Sequence, residues 1–124
     1  MKKVNRATLI EMIKNNEDVT DVDTSGITDM SELFEGCTTF NQNISGWDVS
    51  NVENMYEMFY ECEEFNQDIS GWEVPSVKDM SYMFSECVVF SQDISKWDVS
   101  SVEDMDDIFR GCEIVEENKP KFNR

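Results

Sequence analysis

Phe65-Asn-Gln-Asp-Ile-Ser-Gly-Trp-Glu-Val-Pro-Ser-Val-Lys-Asp-Met-Ser-Tyr-Met-Phe-Ser-Glu-Cys-Val-Val89 decides how this chain is read, because most of the remaining sequence repeats it. Moved back by 25 residues, the phrase falls on Phe40, Gln42, Ile44, Trp47, Val49, Val52, Met55, Met58, Phe59 and Cys62. Moved forward, it falls on Phe90, Gln92, Ile94, Trp97, Val99, Val102, Met105, Ile108, Phe109 and Cys112. A fixed period in the range of roughly 20–50 residues is the mark of repeated supersecondary units. Such units cover their neighbours' apolar faces instead of sharing one central core.

Each 25-residue unit reads in two halves. In the first, Asn54 is placed as an N-cap, and Met55, Met58, Phe59 and Cys62 follow at helical spacing on one face. Glu57 after Asn54, and Glu32 after Asp29, complete the spacing of a capping box. A two-turn helix is expected there, held by packing because it is too short to persist alone. In the second half, Trp47-Asp-Val49 alternates as a strand does, with Asp48 turned outward. Strands of this kind from successive units are expected to pair in parallel, about 4.8 Å apart.

Leu9, Ile10 and Ile13 predict an amphipathic helix over Arg6 to Asn15, capped by Asn5 and ended at Asn15-Asn16. The whole is thus expected to be an α/β repeat solenoid, with short parallel strands on one face, short helices on the other and an N-terminal capping helix. Residues 1–124 form one domain: an N-terminal helical cap at 5–17, tandem repeats at 18–112, and a C-terminal cap at 113–124. Ile114, Val115 and Phe122 supply that last cap, Phe122 falling at the tryptophan position.

Three columns recur with the period. Cys37, Cys62, Cys87 and Cys112 are one position seen four times. They lack the close pairing of a zinc site and read as buried, reduced, small apolar residues. Gln42, Gln67 and Gln92 are expected to satisfy buried backbone and one another. Asp23, Asp48, Glu73 and Asp98 form an outward acidic column.

Charge narrows the function classes. The chain has 27 acidic and 10 basic residues, a net charge of −17. Between Asn15 and Phe109 there are 23 acids and two bases, Lys78 and Lys96. Such a surface repels nucleic acid and anionic lipid and attracts basic partners. The chain contains no histidine, the usual general base and commonest metal ligand. No catalytic residue, metal site or cofactor is expected, and no calcium loop of the D-x-D-x-D-G kind occurs. The chain has no apolar run of bilayer length and no signal-peptide core, which reads as cytoplasmic with no membrane insertion.

Ile44-x-x-Trp47-x-Val49 matches the first half of the leucine-rich pattern, with tryptophan in place of the middle leucine. The longer phrase from Phe65 to Phe84 resembles the repeats of BspA-like bacterial leucine-rich-repeat surface proteins, a repeat also found in bacterial surface lipoproteins. The likeness covers about residues 18–112. It implies a leucine-rich-repeat-like fold and a location at the cell surface or outside the cell. It also implies binding of host or matrix proteins, and it carries over no catalytic residue.

In a leucine-rich-repeat geometry, Asp23, Asp48, Glu73 and Asp98 face the concave side, flanked by Ser45, Gly46 and Lys96. Four carboxylates about 5 Å apart repel by roughly 0.8 kcal/mol per neighbouring pair even in bulk water. One reading is a binding face for a protein partner with a basic patch; the other is that each carboxylate bonds its own turn, as in Asp48-Val-Ser50. The function expected is a non-enzymatic protein–protein interaction module. Two alternatives are an acidic nucleic-acid mimic that inhibits a DNA- or RNA-binding protein, and a purely structural fragment of a surface adhesin.

Overall fold

A computed structural model describes residues 1–122. Among them, regular secondary structure is sparse. The chain runs β1 (Lys2–Lys3), α1 (Arg6–Lys14), β2 (Val22–Asp23) and a single 3-10 turn, η1 (Glu116–Asn118). The two short strands pair in parallel, Lys2 with Val22 and Lys3 with Asp23.

The expected α/β leucine-rich-repeat-like solenoid is therefore not formed. No helix covers residues 54–62, and no strand covers Trp47–Val49. Helix α1 forms over almost the span expected, with the Asn5 side chain accepting from the Thr8 N–H. With no layers of helices and strands to close, however, it is not the capping helix that was foreseen.

Hydrogen bonding explains why the helices are missing. The N–H groups of Met55, Glu57, Phe59 and Glu61 do not reach back to carbonyls four residues earlier. They donate to the carbonyls of Asp79, Ser81, Met83 and Ser85, at 2.9–3.0 Å. The same pattern joins Met30, Glu32, Phe34 and Gly36 to Asn54, Tyr56, Met58 and Tyr60. It recurs from Met80, Tyr82, Phe84 and Glu86 to Asp104, Asp106, Ile108 and Arg110. The intervening peptides close three-residue turns, such as Met58 N–H on Met55 O and Cys62 N–H on Phe59 O. Every second peptide thus bonds to the next segment, and the others bond within their own.

This backbone needs left-handed residues. Glu32, Glu57, Tyr82 and Asp107 share one sequence column and have φ from 49° to 59°. Gly36, Glu61, Glu86 and Gly111 share another, with φ from 61° to 72°. Glu57 therefore does not complete a capping box. Asp29, Asn54 and Asp79 accept the N–H two residues ahead, from Ser31, Tyr56 and Ser81, and stand at parallel bridges between segments. Parallel pairing occurs where helix was expected.

The apolar columns are buried as their period requires. Met55, Met58, Phe59, Cys62, Phe65, Ile69, Val74 and Val77 have no exposed surface, and Trp72 retains only 4%. The tryptophans lie parallel, with Trp47–Trp72 centroids 6.5 Å apart and Trp72–Trp97 6.3 Å apart. Phe40, Phe65 and Phe90 form a second row, 6.0 and 5.8 Å apart. Each indole N–H donates to a buried carbonyl one segment back, on Val19, Ile44 and Ile69.

Candidate functional site

Three of the four carboxylates in the outward column read from the sequence bond within their own turns. Asp48 Oδ1 accepts from Ser50 N–H at 3.0 Å and from Ser50 Oγ–H at 2.6 Å. Asp98 does the same with Ser100 at 3.0 and 2.6 Å. Asp23 accepts from Ser25 N–H at 2.9 Å. Hydrogen bonds from these serines stabilise the ionised form and hold all three carboxyls below the usual aspartate range. Glu73 is exposed, and the residue two ahead of it is Pro75, which has no N–H to offer. Asp48 and Glu73 share a shallow groove of about 380 Å³ beside Trp47 and Trp72.

A denser acidic group arises where the turns replace the expected helices. Carboxylate oxygens of Glu32, Glu35 and Glu57 lie within 4.8 Å of one another. Burial and the neighbouring Glu57 push the Glu35 carboxyl up; a hydrogen bond with Glu35 pushes Glu32 up. Three oxygens of this kind could contribute to a hard-cation site, which takes six to eight oxygen ligands when the ion is calcium. Tyr56 and Tyr60 border the group, and the charges of Glu57 and Glu61 raise their phenols. Tyr56 meets Tyr82 edge to face at 6.3 Å.

Reasoning from the sequence did not single out this group, because Glu32 and Glu57 had been assigned to capping boxes. The available signal was glycine. Gly36 and Gly111 occupy the same column as Glu61 and Glu86, and glycine is the residue that adopts positive φ freely. A column that accepts glycine twice marks a left-handed position rather than one inside the two-turn helix expected there.

The remaining columns have structural roles. Gln42 joins Glu17 O and Val19 N–H, while Gln67 and Gln92 donate to Asn41 and Asn66. The amides thus bond to turns and asparagines, not to one another. The four cysteines are unpaired thiols, and Cys62 and Cys87 donate to Phe34 O and Phe59 O. Burial pushes the Cys87 thiol up to about 12 and raises Cys62 as well, so neither is a nucleophile. No helix among the described residues is long and apolar enough to cross a membrane.

A family model described as a Mycoplasma protein of unknown function, DUF285, matches residues 3–122. No curated protein and no solved structure matches the chain.

Proposed function

From the premise that this chain belongs to the DUF285 family, we propose a non-enzymatic protein-interaction module of the BspA-like surface-protein kind. Its acidic surface binds a protein partner that presents a basic patch. The observation that carries this reading is the crowding of Glu32, Glu35 and Glu57, whose oxygens lie within 4.8 Å of one another. Crowded carboxylates destabilise one another, and an arriving lysine or arginine relieves the repulsion while forming charge-assisted hydrogen bonds. The bordering Tyr56, Tyr60 and Tyr82 offer ring faces for the same cations.

Asp23, Asp48, Glu73 and Asp98 form the secondary part of this surface. Asp23, Asp48 and Asp98 already accept hydrogen bonds from their own turns, which leaves Glu73 the freer ligand. No cofactor, metal or direct nucleic-acid contact enters the proposal.

The test is titration of a lysine- and arginine-rich peptide into three proteins. They are wild type, a Glu32→Gln, Glu35→Gln, Glu57→Gln variant, and an Asp23→Asn, Asp48→Asn, Glu73→Gln, Asp98→Asn variant. Removing three carboxylates worth a few tenths to about 1 kcal/mol each predicts roughly tenfold weaker binding for the first variant, and less for the second. Neutralising crowded acids does not threaten the fold, so unchanged affinity in both variants sinks the proposal. Displacement of this chain from a DNA- or RNA-binding protein by a polynucleotide would instead point to the nucleic-acid mimic.

A further inference from the structure

The aligned peptides have a direction, and among the described residues it ends at a row of N–H groups with no partner. A trans peptide points its N–H opposite to its C=O. The carbonyls of Asp104, Asp106, Ile108 and Arg110 accept from the preceding segment. The N–H groups of Met105, Asp107, Phe109 and Gly111 therefore point the other way, and no hydrogen-bond partner is found for them among the described residues. The Glu86 carboxylate lies against the Cα of Gly111, where a side chain would stand, so the Met105, Asp107 and Phe109 N–H groups are the more accessible part of the row.

The opposite end of the same array shows what such an edge takes. There the carbonyls of Asp29 and Ser31 face outward, and the Arg6 guanidinium donates to both, at 3.0 and 2.8 Å. A forked cation covers the acceptor end. The donor end calls for the complementary fork, a carboxylate, whose two oxygens can accept from two adjacent N–H groups of the row.

The donor edge also borders a cavity of about 750 Å³, within the range of small-molecule sites. Met105, Ile108, Phe109 and Phe122 give it apolar walls, and Lys119 and Lys121 stand at its lining. Lys119 lies 5.5 Å over the Phe109 ring and pairs with Glu116 at 3.2 Å. Glu116 and Glu117 offset the two lysines, and Asp104, Asp106 and Asp107 lie along the row itself, so the N–H groups together with the lysines have to hold an anion against acidic neighbours.

We propose that this C-terminal cavity binds a carboxylate carried on an apolar group, with the head at its rim, forked between two adjacent N–H groups of the Met105, Asp107 and Phe109 row, and the tail against Ile108 and Phe122. The chemistry is shared by free aliphatic acids and by peptides ending in an apolar residue with a free carboxylate. Backbone N–H groups are a known means of holding such a terminus.

Amide NMR of the full chain at physiological salt tests it, with sodium octanoate against octanol, and a peptide with an apolar free C-terminus against its amidated form. Saturable shifts at Met105, Asp107 and Phe109 with octanoate, absent with octanol, are expected. The same shifts with the free peptide but not octanoate assign the site to peptide termini and uphold the shared chemistry. A Lys119→Gln, Lys121→Gln variant, folded by circular dichroism, is expected to bind roughly tenfold more weakly. Equal shifts with octanol, or none with either carboxylate, overturn the proposal.

Discussion

Trp72 shows how one side chain serves two kinds of interaction. Its ring lies between Trp47 and Trp97, and its indole N–H satisfies the buried Ile44 carbonyl at 3.1 Å. Trp72→Ala is expected to cost about 3–5 kcal/mol in urea unfolding. Trp72→Phe keeps a ring but removes one of two donors to the Ile44 carbonyl, which still accepts from Trp47 N–H at 3.1 Å, so it is expected to cost only about 1 kcal/mol. Phe122, half-exposed and packed against the edge of the core, is expected to lose less on truncation; a loss equal to that at Trp72 contradicts this account. The Asp–Ser turns make a separate prediction, about pH. Asp48 and Asp98 have carboxyls lowered from the ordinary 3.8 by Ser50 and Ser100. Their contribution is present above that value and lost as pH falls through the lowered one. Glu35 has the opposite sign, because its carboxyl is raised from 4.5. Its contribution is present below 4.5 and lost as pH rises through the raised value. Ser50→Ala with Ser100→Ala is expected to make the acid limb of a stability–pH curve shallower, and Glu35→Gln to flatten the limb above it. Curves that superimpose on wild type would refute these assignments.

At the scale of elements, α1 is held by its first residue as much as by its apolar side. Leu9 is fully buried, while the Arg6 fork bonds two carbonyls and lies 3.6 Å from the Asp29 carboxylate. Arg6→Lys keeps the charge but not the planar fork. It is expected to cost about 1–3 kcal/mol and to speed amide exchange in α1. Exchange unchanged from wild type would mean that Leu9 packing alone docks the helix. The turn segments predict an order of thiol reactivity. Cys37 and Cys112 are partly exposed, whereas Cys62 and Cys87 are buried; Cys62, Cys87 and Cys112 each donate to a carbonyl, on Phe34, Phe59 and Phe90. Labelling with a thiol reagent is expected to modify Cys37 and Cys112 first, and the inner pair only after unfolding.

For the molecule as a whole, net charge sets the response to salt. At −17, the folded state repels itself more strongly than the expanded chain does. Raising sodium chloride from low to physiological concentration screens that repulsion, so the melting temperature is expected to rise. A fall would imply that the few ion pairs outweigh it. The same field attracts cations from a distance, which favours rapid encounter with a basic partner.

The sequence by itself determined which side chains are inside and in what register. The period of 25 residues placed Phe65, Ile69, Trp72, Val74, Val77, Met80, Met83, Phe84 and Cys87 in columns, and all are buried. Burial depends on side-chain identity and spacing, both of which are written in the chain. The backbone between those side chains was decided only in three dimensions. Met55, Met58, Phe59 and Cys62 at helical spacing fit one face of a helix, yet they face inward equally well from a run of overlapping turns. What selects the turns is the neighbouring segment, whose carbonyls take the Met55, Glu57, Phe59 and Glu61 N–H groups that a helix would keep for itself. The acidic group at Glu32, Glu35 and Glu57 and the donor edge at Met105, Asp107 and Phe109 both follow from that exchange. Neither is legible in the sequence, because a backbone hydrogen bond formed between segments leaves no mark on residue type except at Gly36 and Gly111.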